Sequence, residues 1–582
     1  MYHTNEPSPE NAQTTAVRLA RLRRWFCRAA QFGPWFSALL VLANPREAPA
    51  ASGSTRNLLA HWELATDCRD SSGKGNHGTN HGAEFRRHED RPAARFDGRR
   101  SWIEVSASDS LRLGTSNFTV AAWVNLPDEA GLDDAFGDII SRFDPGTRRG
   151  FVFGITHRAG VTTSQPNTRN VHFGMDDGQA EARWTDHGRP GNAILIFALA
   201  VHDGQLYAGT CEPGRDQAGH VFQFRGATNW TDCGSPDRCN SVSALAVFGD
   251  RLYAGVSKYR LAGSSLPESE NPHLGGSVYR HAGGRSWEFC GQLPDTEAIG
   301  GLVVFRGRLY ASSLYRPAGF FRYEGGQRWT ALPTPAGKRV EAMCVYDGQL
   351  FASTYDEGHV FRYDGTNWTD SGQVGPRENT QTYSFAVHEG RLHVGTWSTG
   401  RVFRHRADNN WEDMGRLGEE LEVMGMIVHN GKLYAGSLPS AEVYRFDAPG
   451  NWTRLTCLDA TPNVKYRRAW TMAEFQGRLF CGTLPSGRVF SFEAGRNVTC
   501  DRALPPGWHH VAAVRHENRL ELFVDGKSVA VSAEFDPAQF DLSLDQPLKI
   551  GFGPNDFFRG RLRDLRLYGT ALSVREIASL AR

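Results

Sequence analysis

From about residue 195 to residue 495 the apolar and polar positions recur with a fixed motif. Each unit runs as an apolar stretch, a two-residue turn, a segment of the type "LYAG", a loop, an alternating segment and a last segment carrying Trp. The Leu of the second segment falls at Leu206, Leu252, Leu309, Leu350, Leu392, Leu433 and Leu479, with steps of 46, 57, 41, 42, 41 and 46 residues. A period near 42 with one long insertion fits four short strands and their turns. The first strand is apolar, as in Leu199-Ala200-Val201 and Leu302-Val303-Val304, and Asp203-Gly204, Asp347-Gly348 or Asn430-Gly431 then turns the chain. The third alternates, as in His359-Val360-Phe361-Arg362-Tyr363, and Asp364-Gly365 leads into the fourth.

Two features order these strands. Eight residues before each marker Leu stands a small residue, namely Ala198, Ala244, Gly301, Ala342, Ser384, Gly425 and Thr471, as expected if the first strand is innermost, where seven strands crowd one axis. The fourth-strand Trp occurs only six times after a marker Leu, at Trp230, Trp287, Trp329, Trp368, Trp411 and Trp452. The seventh unit ends instead at Arg496-Asn497-Val498-Thr499, while Trp184-Thr185-Asp186 precedes the first unit and matches Trp230-Thr231-Asp232. The pattern therefore predicts a seven-bladed β-propeller closed by the strand around Trp184, a closure that protects sheet edges; six or eight blades are the alternatives. The Trp residues read as inter-blade packing. The Asn-Trp-Thr triplets at Asn229, Asn367 and Asn451 match a glycosylation acceptor but recur with the blade, and so read as turn and strand chemistry.

The flanks are also strand-rich and lack the repeat. Strands are predicted over 102–105, 118–124, 151–155 and 171–174 before it, and over 508–514, 520–524, 548–551 and 562–567 after it, followed by a short helix over 573–581. Neither half has a way to bury its apolar faces alone, and a closed ring with adjacent ends is readily inserted into another domain. Leu59-Ala60-His61-Trp62 with Asp70 to Gly78, Phe96-Asp97-Gly98, 118–124, Gly507-Trp508-His509-His510, Leu522 to Gly526 and 560–568 resemble, in order, a concanavalin A-like jelly roll of the laminin-G and pentraxin type. The expected fold is all-β, a β-sandwich jelly roll with an inserted seven-bladed β-propeller: leader 1–51, first half 57–178, propeller 180–499, second half 500–582.

Composition narrows the setting. The 582 residues include 63 Gly, 15 Trp and 34 Phe, which suits short strands and tight turns. The net charge of +1 gives no bulk attraction for nucleic acid. Arg18, Arg21, Arg23 and Arg24, the apolar run over 32–43 and Ala48-Pro49-Ala50-Ala51 read as a signal peptide, so a secreted, periplasmic or cell-surface location is expected. No later run is long and apolar enough for a membrane span. Of ten cysteines, Cys27 would leave with the leader. The other nine show no metal spacing, and Cys233 with Cys239 or Cys457 with Cys500 are candidate disulfide pairs.

The jelly-roll resemblance implies carbohydrate or protein binding, commonly with calcium, and points to Asp70, Asn76, Asp97 and Asp564 as oxygen donors. The same residue types also shape turns. On the propeller, the loops between second and third strands carry Tyr259, Arg260, Tyr315, Arg316, Tyr355, Asp356, Glu357 and Trp397, and the long insertion adds 258–275. Aromatic faces beside guanidinium and carboxylate groups suit a polar ligand such as a glycan; a plain solvated rim is the alternative. Glu297, Glu341 and Glu422 stand near the starts of innermost strands, where paired carboxylates could cleave a glycosidic bond. There is no repeated Asp-box, G-x-S-x-G or H-E-x-x-H, and His509-His510 read as packing. The expectation is an exported, non-catalytic recognition protein for glycan or extracellular protein. A glycan-cleaving hydrolase or lyase is the rival reading, and a structural matrix component a third.

Overall fold

The computed structural model describes residues 57–582 apart from 90, 129–135, 180–182 and 408. The leader 1–51 lies outside the described residues. Two antiparallel sheets are assembled from both ends of the chain. In one, Arg559–Tyr568 lies between Arg91–Asp97 and Phe118–Leu126, and Gly507–His516 pairs with the other edge of Phe118–Leu126. In the other, Leu548–Ile550 sits between Trp102–Val105 and Gly137–Asp144, while Arg496–Ala503 pairs with Asn167–Asp177. Phe96, Ile103, Phe118, Phe151, Phe153, Phe173, Val511, Leu522, Leu548, Leu562 and Leu565 fill the space between the sheets. Each half supplies inner strands to both sheets, so neither can bury these side chains alone. The chain ends in the helix Val574–Leu580, where Ser573 and Glu576 form a reciprocal capping box.

Between the halves run seven four-stranded antiparallel blades. Their innermost strands are Leu195–His202, Ser241–Phe248, Ile299–Phe305, Val340–Tyr346, Gln381–His388, Glu422–His429 and Arg468–Phe475. Each packs on the next, and the seventh packs on the first, closing the ring. The seventh blade takes its outer strand from before the repeat: Thr185–Asp186 pairs with Val489–Phe492. Arg496–Thr499, which the repeat pattern assigns to the last blade, instead opens the sandwich strand Arg496–Ala503, because its pairing partner is Asn167–Asp177. The outer Trp residues tie blade to blade by side-chain hydrogen bonds as well as packing. Trp230 Nε1 donates to His187 O (2.8 Å), Trp287 to Cys233 O (2.9 Å), Trp329 to Cys290 O (2.8 Å) and Trp411 to Ser371 O (2.8 Å).

The axis of the ring is occupied by the sandwich itself. Residues 159–166 link Arg149–Arg158 to Asn167–Asp177, are buried throughout, and reach the innermost strands of several blades. The amide of Val201 donates to Pro166 O (2.8 Å), that of Leu302 to Thr163 O (3.1 Å), that of Phe385 to Gly160 O (2.8 Å) and that of Leu245 to Ser164 Oγ (3.1 Å). An innermost strand is a sheet edge with unpaired amides, and this loop satisfies them. The small residues stand where innermost strands of neighbouring blades approach one another: at Gly301 a Cβ would come within 2.4 Å of Glu341 O. Each of the seven lies at a break in register between the first and second strands of its blade. At Gly425 a Cβ would come within 2.8 Å of Trp470 O and 3.3 Å of Val161 Cγ1.

All nine cysteines of the described chain are free thiols. The candidate pairs are not bridged: Cys233 and Cys239 turn their sulfurs to backbone carbonyls, and Cys457 is exposed on blade 6 while Cys500 is buried in the sandwich.

Candidate functional site

The starts of the innermost strands and the ends of the second strands open on the face of the ring opposite the sandwich. Two side-chain layers converge there, two residues apart along each strand and so on one face of it. Nine residues before the marker Leu are Phe197, Glu341, Tyr383, Met424 and Trp470, and eleven before it are Arg339, Glu422 and Arg468. The insertion 258–275 closes over them. Its Leu261 is buried in one cluster with Phe197, Tyr259, Ala298, Leu314, Tyr383, Met424 and Trp470, drawn from blades around the whole ring. The Arg468 guanidinium donates to Ser264 Oγ, and Tyr259 Oη lies 2.9 Å from the same hydroxyl.

Beneath this cover lies a buried polar group. Arg468 Nε is 4.0 Å from Glu422 Oε2, and the Tyr383 hydroxyl near Glu341 lowers its pKa somewhat against burial. Burial pushes the Glu422 carboxyl up to about 7, against the pull of Arg468. Glu341, 1% exposed, is raised well above the carboxylate range by burial and then by the charge of Glu422. Glu341 Oε2, Arg468 Nε and Trp470 Nε1 are buried with no hydrogen-bond partner in the protein. Buried polar atoms left without a partner are uncommon in folded proteins, and each calls for an explanation such as strain, an ordered water or a bound group.

The rim residues divide by what they already hold. The Arg260 guanidinium lies 4.4 Å from the centre of the Tyr315 ring and is bonded to Glu297, which places that acid at the rim rather than in the buried group. Tyr259 is buried as part of the cover. Asp356 accepts from Arg339 Nε (3.2 Å) and Nη2 (3.0 Å) and from Arg316 Nη2 (3.1 Å); burial opposes its charge, but these bonds hold it below the usual carboxylate range. Glu357 pairs with Lys338 at 2.6 Å. Tyr355 is half-buried under the Arg339 guanidinium, 5.0 Å from its ring centre, and its hydroxyl lies 3.4 Å from that of Tyr383. Trp397 meets Tyr466 edge to face at 6.2 Å. The eight loop residues thus share one face, but Asp356 and Glu357 are taken up by internal ion pairs. Sequence reasoning missed Arg339, Tyr383, Tyr466, Arg468 and Trp470. For Arg339, Tyr383, Arg468 and Trp470 the signal was present, since they stand at the same repeat offsets as Glu341 and Glu422.

The four donors suggested for calcium do not converge. Asp70 accepts from the amides of His61, Ser72 and Asn76 and from the Ser72 hydroxyl. Asp97 closes a turn by accepting from the amides of Arg99, Arg100 and Ser101. Asp564 holds His61 Nε2 (2.7 Å) and Arg566 Nε (2.7 Å), and the Asn76 side chain bonds Leu59 O, Ser108 and Ser110. Among the described residues no three His, Cys, Asp or Glu side chains group as metal ligands. Asp70 and Asp564 accept from protein donors through both carboxylate oxygens, whereas the bonds to Asp97 fall on Oδ1, and the four side chains do not gather into one ligand set. His510 packs edge to face on Trp123 at 5.5 Å, and His509 bonds Asp525.

The fold is all-β, a two-sheet sandwich interrupted by a ring of seven blades. The family described as the concanavalin A-like lectin/glucanases superfamily matches residues 462–578. That span begins in the connection between blades 6 and 7 and takes in the seventh blade's strands over 468–492 with the second half of the sandwich. No curated protein matches. Among solved structures, virginiamycin B lyase from Staphylococcus aureus is 8% identical, over 54% of this chain and 99% of its own, with a TM-score of 0.42. The extracellular domain of the putative one-component system BT4673 from B. thetaiotaomicron is 11% identical over 61% of this chain and 48% of its own, with a TM-score of 0.40. BamB from Moraxella catarrhalis is 11% identical over 58% and 98%, with a TM-score of 0.35. At these identities and scores they say nothing about the chemistry of the site. No helix among the described residues is long and apolar enough to cross a membrane.

Proposed function

We propose that this chain is an exported recognition protein that binds a glycan at the propeller face opposite the sandwich, around the cover formed by residues 258–275. The observation that carries the reading is the set of partnerless buried atoms, Glu341 Oε2, Arg468 Nε and Trp470 Nε1, beneath a rim of Tyr315, Tyr355, Trp397 and Tyr466. Half-buried rings offer stacking faces, and carboxylate and guanidinium groups offer the acceptors and donors that hydroxyl-rich ligands need. Export rests on the leader-like pattern of residues 1–51. A protein ligand is the alternative within the same reading.

A second reading, a glycan-cleaving hydrolase or lyase, is favoured by one observation: Glu341 and Glu422 are both buried carboxyls with raised pKa, the condition for acid chemistry near neutral pH. A glycan array run beside a reducing-sugar assay separates the two. Binding without product, weakened in Trp397→Ala and Tyr355→Ala, is expected. Product that disappears in Glu341→Gln would overturn recognition in favour of catalysis, and an array with no glycan bound would refute the glycan assignment.

A further inference from the structure

At the opposite ends of the same innermost strands, a cleft of about 1030 Å³ separates the sandwich from blades 4 and 5. Eight arginines line it against three aspartates, on a chain whose net charge is only +1. Four of these arginines are met by carboxylates: Asp97 lies 3.7 Å from Arg100, Asp347 pairs with Arg99 at 2.6 Å, Glu84 with Arg95 at 3.2 Å and Glu412 with Arg406 at 2.6 Å. Asp556 is buried, and burial pushes its carboxyl up to about 8, so it is largely uncharged at neutral pH. Arg362 and Arg391 have no carboxylate within ion-pairing distance among the described residues, and Arg561 meets only Asn125 Oδ1, at 3.2 Å. Burial first and then the nearby Arg95 work against the charge of Arg561, opposed in part by Glu89.

We propose that this cleft binds an anionic oligosaccharide, with Arg362 and Arg391 of the propeller and Arg561 of the sandwich as its principal contacts. A guanidinium group presents a planar fork of donors matched to carboxylate or sulfate oxygens. The volume stands at the top of the roughly 300–1,000 Å³ typical of small-molecule pockets, which suits an oligomer rather than a single ion. The aromatic side chains of the cleft are already engaged with each other: Phe557 stacks on Phe552 at 4.1 Å, and Phe351 packs edge-on against Tyr346 and His405. A single-stranded nucleic acid needs free aromatic platforms for its bases, so an acidic sugar chain fits better. The cleft is separate from the axial face, and the proposal stands independently of the ligand bound there.

The test is calorimetry on the whole chain at low salt (about 50 mM) with a sulfated heparin-derived hexasaccharide, a hexagalacturonate, a neutral cellohexaose and an oligothymidylate. Binding of either acidic sugar but not the neutral one is expected, and which acid binds identifies the anion. The affinity should fall at least tenfold in the double variant Arg362→Gln/Arg391→Gln, whose replaced groups form no internal ion pair, and should fall again as salt is raised. Hydrogen exchange on the unaltered protein should slow at 346–349, 390–392 and 405–407 when the acidic sugar is bound. Failure of both acidic sugars to bind, equal affinity in the double variant, protection confined to other segments, or tighter binding of the oligothymidylate through the same arginines would each overturn the proposal.

Discussion

Replacing Glu422 by Gln tests the buried acid group by its effect on stability. Glu422 is 4% exposed, and burial raises its carboxyl from 4.5 to about 7 despite Arg468 nearby. The folded protein therefore holds this proton more tightly than the unfolded chain. That contribution is complete below pH 4.5 and is lost as pH rises through about 7. The difference corresponds to about 3 kcal/mol. Gln is a neutral stand-in for the protonated acid, so Glu422→Gln should exceed the parent by less than about 1 kcal/mol near pH 5 and by about 3 kcal/mol near pH 8. For cooperative melting of a unit this size, with an unfolding entropy of about 1.1 kcal/mol per kelvin, the gap is about 3 °C. Calorimetric melting of both proteins from pH 5 to pH 8 measures it. Parallel curves across that range would refute the placement of a protonated carboxyl at the axis.

Four further outcomes follow from particular contacts. Gly425→Val should cost about 1–3 kcal/mol in denaturant unfolding, because its side chain would press on Trp470 O and Val161; an unchanged midpoint would refute the close approach of blades 6 and 7 at this position. Trp411→Phe removes the donor to Ser371 O and should lose about 1 kcal/mol, whereas the packing of the ring is kept. Ser573→Ala breaks the cap of the terminal helix and should destabilise by about 1 kcal/mol, visible as faster hydrogen exchange over 574–580. Millimolar calcium or a chelator should leave the melting temperature unchanged, since Asp70, Asp97 and Asp564 accept from protein donors and do not gather into one ligand set; a rise of several degrees with calcium would show that those donors give way to the ion.

Much of the architecture was legible because it rests on local rules. The Asp-Gly turns work because both residues take positive φ, as at Asp347 (52°) and Gly348 (70°), and a marker Leu at fixed offset follows from four short strands of similar length. The missing seventh Trp pointed to Trp184 because a closed ring needs as many outer strands as inner ones. The limits of the blade were less legible. Arg496–Thr499 continues the seventh unit in sequence, but its partner Asn167–Asp177 is more than 300 residues away, and strand pairing is decided by that partner. The small residues at the first strands showed that innermost strands crowd the axis. Their number and offset did not show that the loop 159–166 also lies there, since that loop has no repeat of its own.

For the site, the sequence alone established which residue types stand at which repeat offsets: aromatics and charges on one set of loops, and Glu341 and Glu422 at the starts of innermost strands. The tertiary structure decided what those residues are free to do. It buried the two acids with Arg468 under 258–275, and it committed Asp356 to Arg316 and Arg339. It also set Asp70, Asp97 and Asp564 as hydrogen-bonded anchors of turns and strands. The arginine cleft left no mark on the linear pattern, because its walls come from the two ends and the middle of the chain. The physical reason is range. A turn or an alternating strand is determined within a few residues, whereas the burial, pairing and charge of a side chain depend on whatever the fold brings against it.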